Sequence, residues 1–133
     1  MDENLENTKD QMIARADLAV KKVAGEFSDN LNQRVGELEA AILKNDKDQV
    51  VKMAYELETE AATFGWPRVT RLCKWLRKIF YGDYDSKPEP ELVLKTLNVL
   101  KIIVSDTANK DEERDQLLFK ELYPELAKVI SDI

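Results

Sequence analysis

The run Ala54-Tyr55-Glu56-Leu57-Glu58-Thr59-Glu60-Ala61-Ala62-Thr63-Phe64-Gly65, continued by Trp66-Pro67-Arg68-Val69-Thr70-Arg71-Leu72-Cys73, decides the fold of this chain. Up to Gly65, apolar residues recur three or four positions apart: Val50, Met53, Ala54, Leu57, Ala61 and Phe64. That period puts them on one face of a helix over 47–64, with Asn45 or Asp46 as its N-cap. Gly65 suits the left-handed position that closes such a helix. Pro67 lacks an N–H and has a fixed φ, so it belongs in the first turn of the next helix. That second helix, over 67–81, packs Val69, Leu72, Cys73, Leu76 and Phe80. Helices joined by so short a turn are antiparallel neighbours.

The helical period continues in both directions, with no sustained alternation of the kind strands need. Upstream, Met12, Ala16, Val20, Val23, Phe27, Leu31, Val35, Leu38 and Ile42 form one stripe. It is compatible with a single very long helix. Gly25 and the Ser28-Asp29-Asn30 cluster are stop-and-start signals, and they predict a leading helix over 5–24 and a bundle helix over 28–44. Downstream, the loop from Gly82 to Pro90 precedes a helix over 90–107 that turns Val93, Leu97, Leu100 and Val104 inward, with Leu92, Val99 and Ile103 widening its stripe. A last helical segment, 111–132, carries Leu118, Phe119, Leu122, Leu126 and Ile130, and Pro124 should kink or split it just after Leu122. The expected fold is all-α: an up-down four-helix bundle with an additional N-terminal helix, in one domain over 1–133. Residues 1–26 are either a lid on the bundle or an element of self-association.

Composition narrows the function. With 44% hydrophobic and 35% charged residues, the chain is globular, and 133 residues can bury one core. A net charge of -6 disfavours generic nucleic-acid binding. The single cysteine, Cys73, has no intrachain partner, which fits a reducing cytoplasm, and it packs as a small hydrophobe on an apolar stripe. The longest apolar segment, Leu92 to Val104, is interrupted by Lys95 and Lys101 and is too short to span a bilayer. There is no histidine at all. Ser/His and Cys/His nucleophilic pairs are therefore impossible, Gly-rich phosphate loops are absent, and no cluster suits a metal. Neither an enzyme nor a cofactor is expected.

From Ala54 to Cys73 the sequence resembles the signature of histidine-containing phosphotransfer (HPt) domains: Ala-His-x-Leu-Lys-Gly, then small residues, Phe-Gly and a Leu-Cys pair. Tyr55 stands where that family has its phosphorylated histidine, Glu58 where it has a lysine, and Thr59 where it has a glycine. At about 100° per residue, Tyr55 falls nearly opposite the core face, flanked by Val51, Lys52, Thr59 and Ala62. The family presents its histidine to solvent and partners in the same way. The resemblance implies an HPt-type bundle that has lost relay chemistry. A phosphoimidazole has a P–N bond of high transfer potential, whereas a phenol phosphate is an ordinary ester and a poor donor to a carboxylate. Glu58 would repel a phosphoryl group that the family's lysine attracts, and Thr59 fills space that the glycine leaves open.

The helix over 67–81 is basic. Arg68, Arg71, Lys74, Arg77 and Lys78 give it +5 with no acid, leaving -11 for the rest of the chain. Arg68, Arg71, Trp75 and Lys78 fall along one side. Either these cations neutralise Glu56, Glu58 and Glu60, with Arg71 resting on Trp75 at i,i+4, or Arg68, Arg71 and Trp75 join Tyr55 in one partner surface. The expected function is that of a cytoplasmic, non-catalytic adaptor in two-component signalling. Its partner would be a receiver domain or a histidine kinase, bound through Val51, Lys52, Tyr55, Glu58, Thr59, Ala62, Arg68, Arg71 and Trp75. The alternative is a structural module that oligomerises through the N-terminal stripe. The chain is expected to be a monomer or a homodimer.

Overall fold

The computed structural model describes the backbone of residues 2–84, 86–105, 112–130 and 133, and their side chains except at 2–7, 20 and 24. The expected contribution of Val20, the loop residue Asp85, and the expected helix ends at 106–107, 111 and 131–132 lie outside the described residues. The described residues are all-helical, with five helices among them: α1 Asp2–Leu43, α2 Lys47–Thr63, α3 Pro67–Tyr81, α4 Pro90–Ser105 and α5 Glu112–Ala127. Among the described residues the one strand-like feature is an isolated antiparallel bridge between Tyr84 and Ile130. No described helix is long and apolar enough to cross a membrane.

The expected break near residue 28 is absent, and α1 runs through Gly25 and Ser28-Asp29-Asn30. Asp29 and Asn30 are exposed. Such residues lower helix propensity by less than about 1 kcal/mol each, whereas ending and restarting a helix strands backbone donors and acceptors at both new termini. Two compact units are distinguished, 1–30 and 31–133. In the first, Met12, Ile13, Leu18 and Val23 are all exposed.

The second unit holds the core that positions the site. Asp46 caps α2, its side chain accepting from the Gln49 N–H at 3.4 Å. At the other end Gly65 takes φ 80°, and the Trp66 N–H donates to the Ala61 carbonyl at 2.8 Å, a Schellman closure. Pro67 opens α3, and Gly82 closes it at φ 99°. The α2–α3 turn therefore has the geometry that Gly65 and Pro67 imply.

Cross-helix pairs fix the directions. Arg34 of α1 meets Glu60 of α2, and Arg77 of α3 meets Glu58 of α2; with the short turns that join them, α2 runs against the preceding part of α1 and α3 runs against α2. Along the seam between α3 and α5, Arg68 meets Asp115 while Trp75 meets Tyr123, so these two helices run in the same direction. Lys101 of α4 reaches Glu39 of α1 at 2.8 Å.

Between the helices Leu31, Val35, Leu38, Val50, Leu57, Leu72, Leu76, Leu100 and Leu126 are essentially solvent-free. Each such side chain contributes about 1.5–3 kcal/mol by burial. Met53, Phe64, Phe80, Val93, Leu118 and Phe119 were expected inside and are only half-buried. Of the kink or split expected at Pro124, the split does not occur, because α5 continues to Ala127 with the proline inside it. Pro124 is exposed, so water can reach the Lys120 carbonyl whose i+4 donor it lacks.

Candidate functional site

Tyr55 projects from the middle of α2 and is 57% exposed. Thr59, one turn on, folds its hydroxyl back to donate to the Tyr55 carbonyl at 3.0 Å, and Thr63 does the same to Thr59 at 3.0 Å. The branch at Thr59 is thus satisfied along the helix. Val51 is half-buried, while Lys52 and Ala62 are exposed. Lys52 borders a shallow depression with Arg34, Glu37 and Glu56. These α2 residues form one continuous outer face.

The charge beside Tyr55 differs from the sequence expectation. Arg77 crosses from α3 and grips Glu58 with two donors, Nε to Oε2 at 2.9 Å and Nη2 to Oε1 at 3.3 Å. The guanidinium carbon lies 5.7 Å from the centre of the Tyr55 ring. The hydrogen-bonded Glu58 carboxylate raises the Arg77 pKa above its ordinary value, against an opposing effect of burial. Glu58 is therefore neutralised, and the repulsion expected from it is offset by a cation that the sequence reading counted only in a total.

The basic helix divides its residues between two flanks. Arg68 turns to α5, where Nη1 and Nη2 donate to Glu112 at 3.1 and 2.7 Å and Asp115 lies at 3.8 Å. Its hydrogen bond to Glu112 raises the Arg68 pKa. Arg71 lays its guanidinium over Trp75 at 5.2 Å and Phe119 at 5.6 Å. Trp75 is only 2% exposed and meets Phe119 and Tyr123 at ring separations of 5.5 and 6.1 Å. Its expected place on a partner surface is corrected by this burial: the indole is core, and it supports Arg71 from beneath. Lys78 is buried as well, 3.8 Å from Asp83.

The single expected surface is therefore two. Val51, Lys52, Tyr55, Glu58, Thr59 and Ala62 are joined by Arg77 on the α2–α3 side, whereas Arg68, Arg71 and Trp75 belong to the α3–α5 side. The intramolecular account of the cations holds in altered form: Glu58 is met by Arg77, Glu60 by Arg34, and Arg68 by acids of α5. Periodicity within α3 separates Arg68 from Arg77 by about half a turn, and that was the signal available for the division. The aromatic partners from α5 carry no such local mark.

The Tyr55 face presents an exposed aromatic ring beside a cation tethered by Glu58. Among the described residues no group of His, Cys, Asp and Glu side chains could hold a metal ion. Cys73 is buried, and desolvation pushes its thiol up to about 12. Comparison with protein-family models, with curated proteins and with solved structures finds no match to this chain.

Proposed function

We propose that this chain is a non-catalytic adaptor of the HPt type, which binds a receiver domain or a histidine kinase through the α2 face around Tyr55 and modulates phosphoryl flow without carrying phosphate. One observation carries the reading. The residue in the position of the phosphorylated histidine is an exposed phenol, on a helix closed by the Phe-Gly turn of the resembled signature. An up-down bundle of that type accords with the five helices and with the order of their cross-helix pairs. Arg77 replaces the missing lysine as the local cation, but Glu58 already occupies it. Such a pair favours docking over stabilising a transferred phosphoryl group. Occupying the receiver face is enough to exclude an active transfer protein.

Titration calorimetry against a panel of receiver and kinase domains tests the proposal. A complex is expected, and Ala62→Arg should weaken it at least tenfold, about 1.4 kcal/mol, because Ala62 is exposed and its enlargement blocks the face without touching the core. Incubation with phosphorylated receiver should leave no label on the chain. Stable transfer of label onto it refutes the non-catalytic mechanism, and an unchanged affinity in the variant refutes the surface.

A second reading is favoured by the exposed Met12, Ile13, Leu18 and Val23 in the unit 1–30: self-association through that helix. Light scattering of the full chain should then give a dimer mass that falls to the monomer value in Met12→Lys, Val23→Lys, two positions on one side of α1. A monomer at all concentrations removes this reading.

A further inference from the structure

Between α3 and α5 lies a surface groove of about 470 Å³, lined by Arg68, Arg71, Gln116, Phe119, Lys120, Tyr123 and Pro124. Three of these residues are cationic and none is acidic, in a chain whose net charge is -6. Arg68 is already committed to Glu112 and Asp115. Arg71 and Lys120 meet no carboxylate among the described residues, and both are exposed. Arg71 is nevertheless held in place: its guanidinium rests on Trp75 and Phe119. A stacked guanidinium has lost much of its rotamer freedom yet keeps the donors along its edge, so pairing with an incoming carboxylate costs little further order. The groove floor supplies aromatic carbon through Phe119 and Tyr123, the latter 40% exposed.

We propose that this groove is a docking site for an acidic peptide segment bearing an aromatic or aliphatic side chain. The apolar side chain lies on Phe119, Tyr123 and Pro124, and the flanking carboxylates pair with Arg71 and Lys120. Charge complementarity selects this occupant. A nucleic acid brings phosphate along its whole length, and the acidic remainder of the chain repels it. A peptide can place one or two carboxylates over two cations and leave the rest of its surface neutral. The site is distinct from the Tyr55 face and does not depend on the adaptor reading.

The test is fluorescence anisotropy with the full chain and a labelled glutamate-rich peptide containing a central phenylalanine. Its glutamine counterpart and a labelled oligouridine serve as controls. The acidic peptide should bind at least about tenfold tighter than the glutamine peptide, with affinity falling as salt is raised. The double variant Arg71→Gln, Lys120→Gln should lose at least about tenfold, and Lys120→Glu alone should lose affinity with little change in melting temperature, because the exposed Lys120 has no ion-pair partner among the described residues. Tyr55→Ala should leave peptide binding unchanged. Equal binding of the glutamine peptide, preference for oligouridine, or undiminished affinity in both groove variants overturns the proposal. So does loss of binding in Tyr55→Ala, or a concentration-dependent doubling of mass that the double variant abolishes, since the occupant would then be a second copy.

Discussion

Replacing Trp75 by alanine is expected to cost about 3–5 kcal/mol of stability, the range for truncating a buried large aromatic. The indole is 2% exposed and lies between Phe119 and Tyr123 of α5, with Arg71 above it. Its removal would open a cavity at the α3–α5 seam and take away the support that orients Arg71. Urea unfolding followed by circular dichroism measures the loss, with a fall in melting temperature on the order of 10 °C for a chain of this size. Tyr55→Ala is the matched control: at 57% exposure its truncation should change stability by less than about 0.5 kcal/mol. A Trp75→Ala penalty as small as the control's would mean that the indole is not the seam's anchor.

The Cys73 thiol should resist alkylation in the folded protein by about a thousandfold relative to a free cysteine in mild alkali. The thiolate is the reactive species, and its abundance falls tenfold for each pH unit by which the pKa rises. Burial pushes this thiol from 9.0 up to about 12, with only lesser and opposing effects from Glu58 and Arg34. Steric enclosure among the side chains of α3's buried face slows the reaction further. Iodoacetamide labelling followed by mass spectrometry should show near silence in buffer and rapid modification in denaturant. Fast labelling under native conditions would contradict the enclosed position. The same shift fixes a sign for stability. A neutral thiol is preferred in the folded state, so the contribution is fully present below the unfolded value near 9.0 and is lost as pH rises through about 12. Alkali, not acid, is the direction in which this residue destabilises the fold.

The helices were legible in the sequence because their signals are local. Gly65 and Pro67 mark the α2–α3 turn through backbone geometry that few other residues supply, and the structure gives that turn φ 80° at Gly65 with a proline in the first helical turn. Propensity misleads where no tertiary reason enforces it. Ser28-Asp29-Asn30 reads as a boundary, yet α1 passes through it because capping residues tolerate a solvent-facing helix at small cost. The exposure of Tyr55 followed from angular position alone. What escaped was everything that depends on which helix lies opposite. Arg77 belongs with Tyr55 because α2 packs beside α3, and Trp75 is buried because α5 brings Phe119 and Tyr123 to it. No spacing within α3 encodes either neighbour.

The division of α3 has a consequence for how two guests could coexist. Arg77 serves one edge of the helix and Arg71 the other, while Leu72 and Leu76 anchor the side between them in the interior. On the two proposed readings, each edge would receive its own molecule without competition for the same cation. A roll of α3 about its axis would carry Leu72 and Leu76 out of the core, so that route of communication is opposed. If both proposed guests bind, α3 is expected to insulate one edge from the other, and a double-titration in which each guest leaves the other's affinity unchanged would show it.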